Sequence, residues 1–163
     1  MRALLLTALA ATTRRCAGWT LETFSQDDTY PDVRVYLPDS YDENAVYPTI
    51  LALHGYTMDG SFAEAVGLSY WTSSRLTDGV DEYGYIVVAP TGLTDDAGST
   101  YWKATDACCG SCGWFGCADN SEAFLLATLE GARERYPAID PARVHLFGYS
   151  SRGPSCHYVP ICI

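Results

Sequence analysis

Val144-His145-Leu146-Phe147-Gly148-Tyr149-Ser150-Ser151 is the stretch on which the reading turns. A short apolar run, bounded upstream by Asp140-Pro141, ends in Gly-x-Ser. It reads as a buried strand running into a tight turn with a serine at its apex. Such a turn lifts the Ser150 hydroxyl clear of the sheet and sets it at a helix N-terminus, where partial positive charge favours attack on an acyl carbon. The pattern asks for glycine two residues after the serine. Arg152 stands there, with Gly153 one place late, and the sequence ends at Ile163.

Working outward, the other apolar runs fall into the same class. Trp19 to Phe24 alternates loosely and reads as an edge strand, and Val33 to Leu37 alternates cleanly and stops at Pro38. Thr49 to Leu53 is continuously apolar, as in a strand covered on both faces, and feeds directly into His54-Gly55-Tyr56-Thr57. Ser61 to Tyr83 carries mixed helical spacing and reads as one helix starting near Ser69 and stopped by Gly84. Tyr85 to Ala89 is a further buried strand, closed by Pro90, and Thr91 to Thr100 is a loop. Asp119, with Glu122 three residues on, predicts a capped helix whose apolar face holds Phe124, Leu125, Leu129 and Ala132. Strands alternating with helices predict an α/β domain with a mostly parallel sheet. In such sheets ligands sit beyond the carboxyl ends of the strands, and both His54-Gly55 and Ser150 lie just past strand ends.

At 163 residues the chain is one domain at most, and 48% hydrophobic with 18% charged residues is a globular composition. A net charge of −10 argues against nucleic acid and anionic membrane as partners. Met1-Arg2, the largely apolar Ala3 to Ala11, and Ala8-Leu9-Ala10 read as a secretory signal over residues 1–18, with export as its consequence. The apolar run is too short to span a bilayer. Seven cysteines agree with an oxidising space, and Cys108, Cys109, Cys112 and Cys117 cluster in one loop. Disulfides are the favoured reading there. A zinc reading of Cys109-x-x-Cys112 needs two further ligands at zinc-like spacing, and no histidine lies nearby, so no metal and no cofactor is expected.

Acyl transfer needs a nucleophile, a base, a group that orients the base, and donors for the oxyanion. Ser150 is the candidate nucleophile. The donors are backbone amides, that of Ser151 and that of Tyr56 with Thr57 as its neighbour. His54, Gly55 and Gly148 shape the loops. His145 lies inside the strand and is expected to be buried. No Asp or Glu follows Ser150, and His157 is the only later histidine, about two helical turns on and pointing away. No complete triad can be assembled.

Leu53-His54-Gly55-Tyr56, Ala89-Pro90-Thr91-Gly92, Tyr101 to Cys109, and Ile139 to Val144 with Gly148-Tyr149-Ser150-Ser151 follow one another in order. Together they resemble the secreted polyhydroxybutyrate depolymerase and feruloyl esterase family of α/β-hydrolases, from about Val33 to Ser151. The Trp102 to Cys109 stretch is the most specific piece. The resemblance implies a three-layer α/β-hydrolase sandwich with Ser150 as nucleophile, His54-Gly55-Tyr56 as the oxyanion loop, and Cys108-Cys109 in a disulfide region. The implied substrate is a carboxylic ester, either a feruloyl or acetyl ester of a plant polysaccharide or a polyhydroxyalkanoate. The family's acid and histidine have no counterpart here. The expected organisation is a signal over 1–18, the N-terminal part of the catalytic domain over 19–151, and a divergent tail over 152–163 where the reading frame is lost and the C-terminal strands and helices are missing. The strand at Val144 is then expected to sit mid-sheet. A second reading is a secreted, non-catalytic binding module presenting Trp102, Trp114 and Phe115 to a sugar. A third is a small disulfide-stapled domain.

Overall fold

The apolar runs become strands in the computed structural model, which describes residues 20–24, 32–65, 75–95, 97–102 and 121–148. Strands β1 (Thr20–Phe24), β2 (Val33–Leu37), β3 (Tyr47–Leu53) and β4 (Ile86–Pro90) join a long C-terminal strand, β7 (Ile139–Gly148), in one sheet of order β1-β2-β4-β3-β7. A separate hairpin is made by β5 (Leu93–Thr94) and β6 (Thr100–Tyr101). A 3-10 helix (Gly60–Glu64), α1 (Gly79–Tyr83) and α2 (Ser121–Arg135) connect the strands.

β3 runs parallel to β4 and β7, while β1 with β2 and β2 with β4 are antiparallel. The sheet is therefore mixed rather than mostly parallel. The reason lies in the connections. Residues 25–32 separate β1 from β2, and a parallel pair needs a crossover of about a dozen residues or more.

Period-two alternation sorts the side chains onto two faces. Val33, Val35, Leu37, Leu51, Leu53, Ile86 and Val88 meet Phe124, Leu125, Leu129 and Ala132 of α2. Tyr36, Ala52, Val87 and Ala89 pack on the opposite face with Phe62, Ala63, Leu76 and Val80. The result is a sheet between two helical layers. Each large apolar side chain fully buried this way contributes about 1.5–3 kcal/mol. α2 buries the face the sequence marks, with Ser121 and Thr128 added to it, and Tyr136 beyond its end donates its hydroxyl to Glu22 of β1 at 2.8 Å. The expected cap Asp119 lies outside the described residues.

Of the segment read as a single helix, the 3-10 helix and α1 are described, and the expected start near Ser69 lies outside the described residues. Asp59 caps the 3-10 helix by accepting from the Ser61 amide at 2.7 Å. α1 begins only at Gly79 and ends at Gly84, which takes the left-handed conformation (φ 65°, ψ 54°) that glycine adopts without a Cβ clash.

β7 departs from expectation in burial. Among the described residues it has β3 as its one neighbour and forms an edge of the sheet they make, and most of it is exposed or half-exposed. Val144 and Leu146 lean on one face and Phe147 on the other, but His145 is exposed rather than buried. Pairing with β3 breaks between Ile139, opposite Tyr47, and Val144, opposite Thr49. The intervening Asp140-Pro141-Ala142-Arg143 bulges. The Asp140 carboxylate accepts from the Ala142 amide at 2.9 Å and from Arg143 Nε at 2.5 Å, and Arg143 Nη2 donates to the Val46 carbonyl at 3.2 Å. Proline lacks the donor a regular ladder needs, which suits it to a bulge at an edge.

Candidate active site

Three parallel strands deliver their C-terminal ends to one rim. β3 ends at Leu53 and passes into His54-Gly55; β4 ends at Pro90 and passes into Thr91-Gly92; β7 ends at Gly148. The register sets Leu53 directly beside Gly148, about one strand spacing, ~4.8 Å, apart.

His54 is buried, with 2% of its surface exposed. The Gly92 amide donates to its Nε2 at 2.7 Å, and its Nδ1 lies 2.7 Å from the Gly55 carbonyl. An amide N–H only donates, so Nε2 carries a lone pair and the proton sits on Nδ1, where it donates to Gly55. Burial holds the imidazole pKa below its ordinary value, with the Gly55 hydrogen bond acting more weakly in the opposite sense. The ring is neutral, and both nitrogens are committed. It packs against Trp102 (ring centroids 5.0 Å apart) and edge-on to Phe62 (6.2 Å). Gly92 must be glycine for this contact. A Cβ there would lie 2.4 Å from the Tyr101 carbonyl oxygen and 3.2 Å from His54 Nε2.

The loop that follows is a tight turn closed by the Met58 amide donating to the Gly55 carbonyl at 3.1 Å. Thr57 adopts φ 65°. A β-branched residue in the left-handed region is a true outlier, and such strain is of the order of 1–3 kcal/mol. The Thr57 amide donates to the Thr100 carbonyl at 2.9 Å, so it is spoken for. The Tyr56 amide meets no acceptor among the described residues. The Tyr56 ring is 44% exposed and its hydroxyl donates to Asp95 Oδ2 at 2.9 Å. Asp95 is held below the usual carboxylate range by the amide of Ser99 first, with Tyr56 and the Ala97 amide assisting. Beneath the loop, Glu64 accepts from buried Tyr36 (2.8 Å) and from Arg34 (3.1 Å). Burial first, then Glu64, raises the Tyr36 phenol pKa well above its normal value.

Gly148 ends β7, and a Cβ there would meet nothing within 4 Å. Ser150, Ser151, His157, and Cys108, Cys109, Cys112 and Cys117 lie outside the described residues, as do Trp114 and Phe115. Trp102 is 8% exposed, its Nε1 donating to the His54 carbonyl at 3.0 Å and its ring stacked on Phe124. It is therefore core, and the sugar-stacking surface loses one of its three rings. Among the described residues no three His, Cys, Asp or Glu side chains gather as a metal-binding group, and no helix is long and apolar enough to cross a membrane.

The sequence names Thr57 as the neighbour of Tyr56 but does not show its positive φ, and it does not reveal Asp95, Thr100 or the hairpin that carries them. Asp95, followed by Ala97-Gly98-Ser99, is a turn signal, since Asp side chains accept from amides a few residues on.

The fold is similar to that of esterases of known structure. An acetyl xylan esterase from Aspergillus awamori superposes with a TM-score of 0.50 at 18% identity, over 79% of this chain and 42% of that one. A CE1 ferulic acid esterase from Anaeromyces mucronatus gives 0.48 at 17% identity, over 84% and 52%, and a putative acetyl xylan esterase from Bacteroides fragilis 0.47 at 17%, over 82% and 39%. The likeness is one of fold. The chain spans about half or less of the length of these enzymes. No family model matches the sequence, and no curated protein sequence matches it significantly.

Proposed function

We propose that residues 19–151 are the N-terminal part of a secreted serine esterase, exported by a leader over 1–18. In this reading Ser150 is acylated by a carboxylic ester, with the amides of Tyr56 and Ser151 taking the developing oxyanion. The substrate class is a feruloyl or acetyl ester of a plant polysaccharide, or a short hydroxyalkanoate polymer.

The observation that carries the reading is the pairing of Leu53 with Gly148. Ser150 follows Gly148 by two residues, which reach about 7 Å at most, and Gly148 is the register partner of the residue that leads into the His54 loop; this supports a nucleophile near that loop. The Tyr56 amide, which meets no acceptor among the described residues, and the strained Thr57 next to it fit an oxyanion loop, where fixed donors need no reorganisation during reaction. His54 is excluded as the base, because proton abstraction from Ser150 needs a free lone pair and Nε2 has given its own to Gly92. Its role is to couple two loops of the rim. Exposed His145 sits three positions before the end of β7, and in this reading no residue of the chain is assigned as the base. Acylation is therefore the step these residues support, with turnover lower than that of a complete triad by about 10⁶.

A fluorophosphonate probe tests the reading. Covalent labelling of the folded chain, mapped to Ser150 by peptide mass and abolished in Ser150→Ala, is the expected result. A folded chain that stays unlabelled refutes it.

A further inference from the structure

The geometry points to hairpin β5–β6 as the device that positions the His54–Met58 loop, with Thr100 and Asp95 as its positioning residues. What the loop is positioned for rests on the esterase reading above.

Five hydrogen bonds run from residues 92–102 to residues 54–58. The Gly92 amide and the Trp102 indole hold His54 from two sides. Thr100 grips the turn twice: its carbonyl takes the Thr57 amide, and its hydroxyl donates to the Met58 carbonyl. Asp95 divides its carboxylate. Oδ1 folds the hairpin's own turn by accepting from Ala97 (2.9 Å) and Ser99 (2.8 Å), which leaves Oδ2 for the Tyr56 hydroxyl.

The hairpin is poorly explained as a fold element in its own right. Its strands are two residues each, and isolated two-stranded hairpins are marginal in water even when longer. The loop has the opposite need. Thr57 holds a conformation it would leave if free, and the two Thr100 bonds bracket that residue. Relaxing φ at Thr57 swings the Tyr56–Thr57 peptide and disturbs the amides on which oxyanion binding depends. A misplacement of about 1 Å at such donors is enough to slow a reaction substantially.

Thr100→Val and Tyr56→Phe each remove one hydroxyl, one from a half-buried strand position and one from an exposed ring, with no void in the core. Two measurements on the full chain then decide: amide hydrogen exchange at Thr57 and Met58, and the rate of fluorophosphonate labelling at Ser150. Thr100→Val is expected to raise exchange at both amides about tenfold and to slow labelling about tenfold, with the unfolding midpoint little changed. Tyr56→Phe is expected to act in the same direction by about threefold, its bond being exposed. Unchanged exchange in Thr100→Val overturns the inference whatever the labelling does, and so does exchange raised equally across the whole sheet. Raised loop exchange with undiminished labelling overturns the positioning role. If the unsubstituted chain fails to label, the esterase reading falls, and the exchange result alone decides whether the hairpin clamps the loop.

Discussion

His54 shows how one side chain can govern two loops while doing no chemistry. Its ring is buried, neutral and bonded at both nitrogens, so protonation must break the bond from Gly92. Its folded pKa lies below the unfolded value of about 6.5. The unfolded chain therefore binds the proton more readily. The contribution to stability is fully present above about pH 6.5 and declines as pH falls from there through the folded pKa. Thermal melts from neutral to mildly acidic pH should show this loss, and His54→Gln, which keeps an acceptor for Gly92 but does not titrate, should flatten it relative to the unsubstituted chain. Equal acid sensitivity in the two would refute the assignment. Gly92→Ala tests the same contact from the other side. The methyl has backbone rather than a flexible side chain in its way, so a loss of about 1–3 kcal/mol is expected in urea unfolding. A neutral result would mean that the Gly92–Tyr101 approach is looser than described.

Among the elements, α2 gives the clearest contrast between buried and exposed positions of like chemistry. Leu129 is buried against the sheet and Leu126 is 44% exposed. Leu129→Ala should cost about 2–4 kcal/mol and Leu126→Ala about 0.5 kcal/mol or less, measured as shifts in the urea midpoint at constant slope. Similar values for the two would overturn the facing of the helix. The elements legible in the sequence were those whose own pattern decides them. The cores of β2, β3 and β4 fall where alternation or a continuous apolar run placed them, and the α2 face follows from its spacing. The failures were of another kind. β7 reads as buried because its residues are apolar, but burial depends on neighbours, and an edge leaves His145 exposed. The antiparallel pairing of β1 with β2 follows from the length of their connection, which carries no hydrophobic signal. Hairpin β5–β6 is invisible to any period, because its bonds go to a loop far away in sequence. At the site, His54-Gly55-Tyr56 was legible as a motif, whereas the strain at Thr57 was not, since nothing in a threonine announces a positive φ.

For the molecule as a whole, the outer edge of β7 is the feature with physical consequences. Among the described residues it presents unpaired backbone groups beside the half-exposed Val144, Leu146 and Phe147, and an open edge is a template for pairing with another chain. The chain expressed alone should therefore self-associate, seen as a concentration-dependent mass in light scattering. His145→Lys, which adds charge to that edge, should reduce the effect. A strictly monomeric chain at every concentration would contradict it. The bulge at Asp140–Arg143 bears on this edge in a further way. Because Arg143 is anchored to Val46 and Asp140 to Arg143, the stretch works as a mechanical stop that blocks β7 from sliding along β3. A slip of one residue would exchange the two faces of the strand and carry its far end about 3.3 Å along the sheet. The pairing of Leu53 with Gly148 is thus tied to the opposite end of the strand, and loosening Arg143 there would be felt at the rim without touching it.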